Sequence, residues 1–293
     1  WIGCTKVSPG CDHCYAEATM DKRLHKVQWG TGQPRQRTSE AYWSQPLKWN
    51  KERYMQCAAC GWRGAAAAQI IGCGQCGSLD IDDTRARVFC ASLADLADNE
   101  VPTVWRQHLM SRVADTPNLD WLVLTKRIGN ARQMLSDASM HDGRLLTAND
   151  EYRPPSNLWI GATIVNRDEL VRDAAKLKTT PAAKHFWSVE PMLGDLGHIP
   201  GELFPDWVIV GGESGPDARP MNPDWARSLR DQCQAAGVPF FFKQWGEWAP
   251  YGRGRLDSSL LVDRSALDTP YIKVGKKLAG RLLDGRTWDE VPA

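Results

Sequence analysis

From about residue 85 onward the chain repeats one pattern: a short apolar run rich in β-branched and aromatic residues, a polar or glycine-bearing turn, then a longer helix-like stretch. The apolar runs cover residues 87–92, 121–125, 158–164, 185–189, 207–210 and 238–242. Most are continuous rather than alternating, as parallel strands buried on both faces require. Helix-like segments at 102–113, 167–177 and 223–236 lie between them. A strand leading into Cys4 would raise the expected count to seven. Such βα units allow two architectures, a partial or full (β/α) TIM-like barrel or an open doubly wound sheet.

The polar residues separate these options. Strand after strand ends in reactive-looking groups: Thr125-Lys126-Arg127, Thr163, Glu190, Gly211-Gly212-Glu213-Ser214 and Lys243-Gln244-Trp245. In a barrel all strand ends converge on one mouth, whereas in an open sheet only those at the switch point meet. The barrel is therefore the expected fold. Each group taken alone could also cap a helix or pair on the surface. Lys126 and Lys243 could neutralise a carboxylate or phosphate, or simply pair with Glu190 or Glu213.

Nine cysteines, an odd number in a chain of 293 residues, argue against a disulfide framework and for reduced thiolates on metals. Cys57-Ala58-Ala59-Cys60 and Cys73-Gly74-Gln75-Cys76 have the spacing of zinc-ribbon knuckles, with an iron–sulfur cluster as the rival occupant. Cys4, Cys11 and Cys14 form a second group on a loop bent by Ser8-Pro9-Gly10, with His13 as an alternative fourth ligand. Three thiolates leave one metal position open. Cys90 ends a strand, where it could donate a hydrogen atom to a substrate radical or be a small buried thiol. Cys233 reads as core.

Lysine plus arginine (36) nearly balances aspartate plus glutamate (35), which excludes a generally basic coat protein or polybasic membrane binder. No apolar run approaches the ~20 residues of a membrane helix. A soluble cytoplasmic protein is the expectation. Charge is nevertheless segregated, because residues 22–53 hold eight bases against Glu40 and Glu52. Arg23, Lys26, Arg35 and Arg37 there interleave with Trp29 and Trp43, as in sites that stack single-stranded or flipped bases. The other reading is a solvated loop whose tryptophans pack on the barrel. The expected organisation is a cluster loop and basic segment at 1–54, an inserted ribbon-like module at 55–80, the remaining barrel at 81–249 and a strand-and-turn appendage at 250–293.

The cysteine loop, with Cys-x-x-Cys followed by an aromatic, resembles the radical S-adenosylmethionine (SAM) superfamily. Three residues commonly separate the first two cysteines there, and six do here. Gly3-Cys4-Thr5-Lys6-Val7-Ser8-Pro9-Gly10-Cys11, Cys14-Tyr15-Ala16-Glu17, Leu124-Thr125-Lys126-Arg127, Trp159-Ile160-Gly161, Ser188-Val189-Glu190-Pro191, Gly211-Gly212-Glu213-Ser214-Gly215 with Ala218-Arg219-Pro220, and Phe242-Lys243-Gln244-Trp245-Gly246 look like a phage-associated radical-SAM-like family. The resemblance covers nearly the whole chain.

The resemblance implies a partial barrel with a [4Fe–4S] cluster on Cys4, Cys11 and Cys14, and SAM chelating the fourth iron. An electron donor such as flavodoxin or ferredoxin would drive cleavage of SAM to a 5′-deoxyadenosyl radical that abstracts hydrogen from a substrate. By analogy Gly211, Gly212, Glu213 and Ser214 become candidates for SAM binding, although in the superfamily the glycine-glycine-glutamate motif normally follows the second strand. Glu213 could equally orient substrate. Tyr15 and Thr163 join them as cofactor-binding candidates, and Cys90, Lys126, Glu190 and Lys243 are the catalytic candidates. The expected substrate is a modified thymine in phage-type hypermodified DNA, rearranged in host cytoplasm. A radical enzyme acting on a peptide or small molecule, and a non-catalytic nucleic-acid-binding protein with two zinc sites, are the alternatives.

Overall fold

The computed structural model describes residues 1–66, 72–250 and 271–292. Its centre is a six-stranded parallel sheet: β4 (Ala86–Cys90), β5 (Leu119–Thr125), β6 (Leu158–Thr163), β7 (Lys184–Val189), β8 (Trp207–Gly211) and β9 (Phe240–Gln244). The spatial order is the sequence order. A doubly wound sheet reverses direction at a switch point. Without a reversal, successive right-handed crossovers put every helix on one face and curl the sheet around the other. The result is a half-barrel whose edges, β4 and β9, do not pair with each other.

Local sequence sets the helices. α3 (Thr103–Asp115) starts after Pro102, and α5 (Arg167–Lys178) is capped by Asn166, whose side chain accepts from the Glu169 N–H. Asp168 and Glu169 in its first turn and Lys176 and Lys178 in its last complement the helix dipole. α6 (Pro223–Ala235) combines an Asn222 cap with proline in the first turn. α4 (Ile128–Ser139) follows β5.

The helices pack on the outer face, where Leu109, Val113, Leu135, Leu170 and Leu229 meet sheet residues such as Val123, Ile160, Trp187 and Val210. On the inner face a row of Leu122, Trp159, Phe186, Trp207 and Ile209 crosses the four adjacent strands β5 to β8. Trp207 meets Trp159 and Phe241 edge-on, with ring centroids 6.2 and 6.0 Å apart. This row fills the floor of the half-barrel and leaves the carboxyl ends of the strands open above it.

The segment before Cys4 is not a seventh strand of this sheet. Ile2 forms an isolated antiparallel bridge with Gln36, and the Gly3 N–H donates to the Leu93 carbonyl. Its backbone is thus paired with later loops. A short helical turn, α1 (Tyr15–Glu17), and a wider turn at Ala18–Arg23 follow the cysteine loop, and α2 (Glu40–Trp49) closes the basic segment.

β1 (Tyr54–Cys57), β2 (Arg63–Ala65) and β3 (Ile81–Thr84) form a separate antiparallel sheet in the order β2-β1-β3. At the other end β10 (Trp248–Pro250) pairs with β11 (Tyr271–Lys273), ahead of the short α7 (Lys276–Ala279). The rest of the expected appendage, residues 251–270, lies outside the described residues. Among the described residues no helix is long and apolar enough to cross a membrane.

Candidate functional site

A cleft of about 550 Å³ opens at the carboxyl ends of the strands. Cys4, Cys11 and Cys14 line it together with Lys126 after β5, Glu190 after β7, Glu213 and Ser214 after β8, and Lys243 in β9. One loop and four strand ends, scattered over most of the chain, thus share one cavity. Tyr15, Trp29 and Phe89 also line it, and Tyr15 and Phe89 are 60% and 50% exposed. The Tyr15 hydroxyl donates to the Ser92 carbonyl.

Two arginines fasten the cysteine loop to the barrel. Arg219 donates from Nε to Glu213 Oε2 at 2.8 Å and from Nη2 to Glu213 Oε1 at 2.6 Å. The same guanidinium reaches Asp12 Oδ2 at 3.0 Å and the Pro9 carbonyl at 2.9 Å. Glu213 further accepts from the Arg219 N–H at 2.8 Å and from His13 Nδ1 at 3.1 Å. Burial raises the pKa of Glu213, but these hydrogen bonds and the Arg219 charge outweigh it and hold the carboxyl below its usual range.

At the other end of the loop, Arg127 donates to Cys4 Sγ at 3.4 Å and to the Thr5 carbonyl at 2.6 Å, and pairs with Asp95 at 3.2 Å. Asp95 also accepts from Thr125 Oγ1 at 2.5 Å and from the Lys126 N–H at 2.8 Å, which ties the loop to the end of β5. Sequence motifs contained Arg127 and Arg219. Their partners, from Asp12 to Asp95, carry no local signal.

Glu213, Gly211 and Gly212 therefore have structural work in the folded chain. Both Glu213 oxygens are engaged and the residue is only 6% exposed. A Cβ on Gly212 would lie 1.9 Å from the Trp245 carbonyl oxygen, and one on Gly211 would lie 2.9 Å from Glu190 Oε2. The glycine pair lets the ends of β8 and β9 interlock. Ser214 accepts from Gln244 Nε2 at 3.2 Å.

The two strand-end lysines divide. Lys243 pairs with Glu190 at 2.8 Å, whereas Lys126 donates to Thr163 Oγ1 at 3.1 Å and has no carboxylate partner among the described residues. Thr163 is buried beneath it. Cys90 is not among the residues that line the cleft; it packs against the main core, and burial pushes its thiol up to about 11.

Of the six expected nucleic-acid residues, Trp29 lines the cleft. Arg35 is fully enclosed and bonded to Asp98 at 2.8 Å and Glu100 at 2.5 Å, and Trp43 is buried against Trp1. Arg37 lies over the Trp43 ring at 4.6 Å and contacts Glu40 and His108. All three knit the basic segment to the rest of the chain, and Arg37 and Trp43 also line a second, smaller cavity with His108. Arg23 and Lys26 are exposed.

Cys57, Cys60, Cys73 and Cys76 bring their sulfurs within 4.8 Å of one another, a set that could hold a metal such as zinc. The two knuckles repeat one geometry. The Gly61 N–H donates to the Cys57 carbonyl at 2.9 Å, and the Gly77 N–H to the Cys73 carbonyl at 2.8 Å. Both glycines hold φ near +73° and +74°, where a side chain would strain the turn.

A family model described as "Protein of unknown function (DUF5131)" matches residues 1–292. Comparison with curated proteins and with solved structures finds no match. With the match spanning nearly its whole length, the chain belongs to the DUF5131 family.

Proposed function

We propose that this protein is a radical SAM enzyme, and one observation carries the reading. Three cysteines of a single loop line the same cleft as the polar ends of four parallel strands, β5 and β7 to β9. The donor chemistry fits a four-iron cluster better than a single ion. Three thiolates leave one iron free, and among the described residues the single-ion cluster of cysteines is the other group, in the knuckles. When bound, a [4Fe–4S] cluster would supply the electron that cleaves SAM to methionine and a 5′-deoxyadenosyl radical able to take hydrogen from a substrate.

The chain's own contribution is position and exclusion. Arg127 and Arg219 hold the loop from both ends, and the Arg127 N–H on Cys4 Sγ works against the burial and the Asp95 charge that push this thiol up to about 11. Ser188 and Lys243 orient Glu190 toward a substrate in the cleft, at 3.4 and 2.8 Å. Tyr15, Phe89 and Trp29 give the mouth aromatic faces on which a base can stack. A thymine derivative in DNA, rearranged after hydrogen abstraction, is the substrate this combination favours.

The test is 5′-deoxyadenosine formation, read by mass spectrometry, from anaerobically reconstituted protein given SAM and a reductant. Production in the wild type and its loss in Cys11→Ala and Cys14→Ala is the expected result. No product from protein carrying a full iron complement would end the proposal. DNA containing the candidate base, digested to nucleosides after incubation with active enzyme, tests the substrate separately.

A further inference from the structure

The cleft balances its acids and leaves one inner cation over. Three carboxylates line it, and each already has a partner in the protein: Asp95 pairs with Arg127 at 3.2 Å, Glu190 with Lys243 at 2.8 Å and Glu213 with Arg219 at 2.6 Å. Lys126 lines the same cleft, half-buried at the end of β5, and among the described residues no carboxylate lies within 4.0 Å of its ammonium. Its hydrogen-bond partner is the buried Thr163 hydroxyl, at 3.1 Å. An ammonium has three N–H donors, so two are left for a ligand. Lys276, exposed and likewise without a carboxylate partner among the described residues, adds a second positive charge to the lining.

From this arrangement we infer that Lys126 is the floor of an anion subsite that receives a carboxylate or phosphate group of a bound molecule. The inference rests on the reading of the cleft as a radical SAM site only for the choice of probes. A partly desolvated ammonium without a counter-charge is unfavourable, and a ligand anion that replaces the missing partner gains a charge-assisted hydrogen bond. Thr163 keeps the lysine side chain directed along the strand ends, so the subsite is built before the ligand arrives. Lys243 cannot replace it while Glu190 holds its charge.

Two sources offer this chemistry: the amino-acid carboxylate of SAM, and a phosphate on the substrate. Calorimetric titration of the full chain with SAM, with thymidine and with thymidine 5′-monophosphate separates them, using wild type, Lys126→Met, Lys126→Arg and Thr163→Val. A phosphate source predicts that the wild type prefers the monophosphate over the nucleoside by about tenfold or more, that Lys126→Met abolishes the preference, and that Lys126→Arg restores most of it. A carboxylate source predicts an equal loss of SAM affinity in Lys126→Met with the nucleotide preference untouched. Thr163→Val, which keeps the charge, gives a smaller loss in the same arm. If Lys126→Met binds all three probes as the wild type does, or if the wild type binds none, the subsite is refuted. A Lys126→Met protein that fails to fold leaves Lys126→Arg and Thr163→Val to decide the matter: unchanged affinity in both refutes the subsite. 5′-Deoxyadenosine measured on the same preparations keeps the two ideas apart, since lysine-dependent binding without radical product would sink only the enzymatic reading.

Discussion

Glu213, at the end of β8, accepts a hydrogen bond at 3.1 Å from His13, which stands between Cys11 and Cys14 in the chain. Arg219 completes the link by binding Glu213 and Asp12 with one guanidinium. Because Glu213 is held below its ordinary value, its contribution to stability is complete above the unfolded carboxylate pKa, about 4.3, and is lost as pH falls through the lower folded value. Urea unfolding of wild type and Glu213→Gln from about pH 6 to about pH 3 should show the variant weaker by about 2 kcal/mol at the upper end, with the gap closing on acidification. A gap independent of pH would mean that packing, not charge, holds the loop.

The four-cysteine module is expected to depend on its metal. Among the described residues, its sheet of β1 to β3 and its knuckles have only Met55, Cys57 and Cys73 as buried apolar residues, too small a core to fold without the metal. Cys57→Ser should lower bound zinc by about one equivalent per chain and open residues 54–66 and 72–84 to proteolysis. The half-barrel should keep its own unfolding transition. Full zinc retention in the variant would show that the sulfurs do not form one site.

Gly212 offers a test of the interlock between β8 and β9. An added methyl would meet backbone, the Trp245 carbonyl oxygen at 1.9 Å, so no side-chain rotation relieves it. Gly212→Ala should cost on the order of 3 kcal/mol in thermal or denaturant unfolding. Gly143→Ala, where nothing lies within 4 Å of the added atom, should change stability far less. Equal effects at the two positions would remove close approach as the reason for the glycine pair.

The six strands of the half-barrel were legible in the sequence, to within three residues at either end. Continuous β-branched and aromatic runs are a local property, and Pro102, Asn166 and Asn222 mark helix starts by chemistry that acts within one turn. The knuckle cysteines were legible for the same reason. The segment before Cys4 does not join the sheet, because the Ile2 backbone is bridged to Gln36 and the Gly3 N–H is taken by the Leu93 carbonyl.

Charge pairing was a different matter. Eight bases in one segment looked like a ligand surface, yet Arg35 is enclosed with Asp98 and Arg37 lies on Trp43. Lys126 and Lys243 looked alike in sequence, and only the packing of β5, β6 and β9 gave one a carboxylate and the other a hydroxyl. Arg219 meets Asp12 across 207 residues of chain. The sequence by itself determined the strands, the caps and the metal-ligand spacing, since each depends on neighbours within a few residues. The tertiary structure decided which charges are spent on one another and which remain for a ligand, since Coulomb and hydrogen-bond partners are chosen by distance in space and not along the chain.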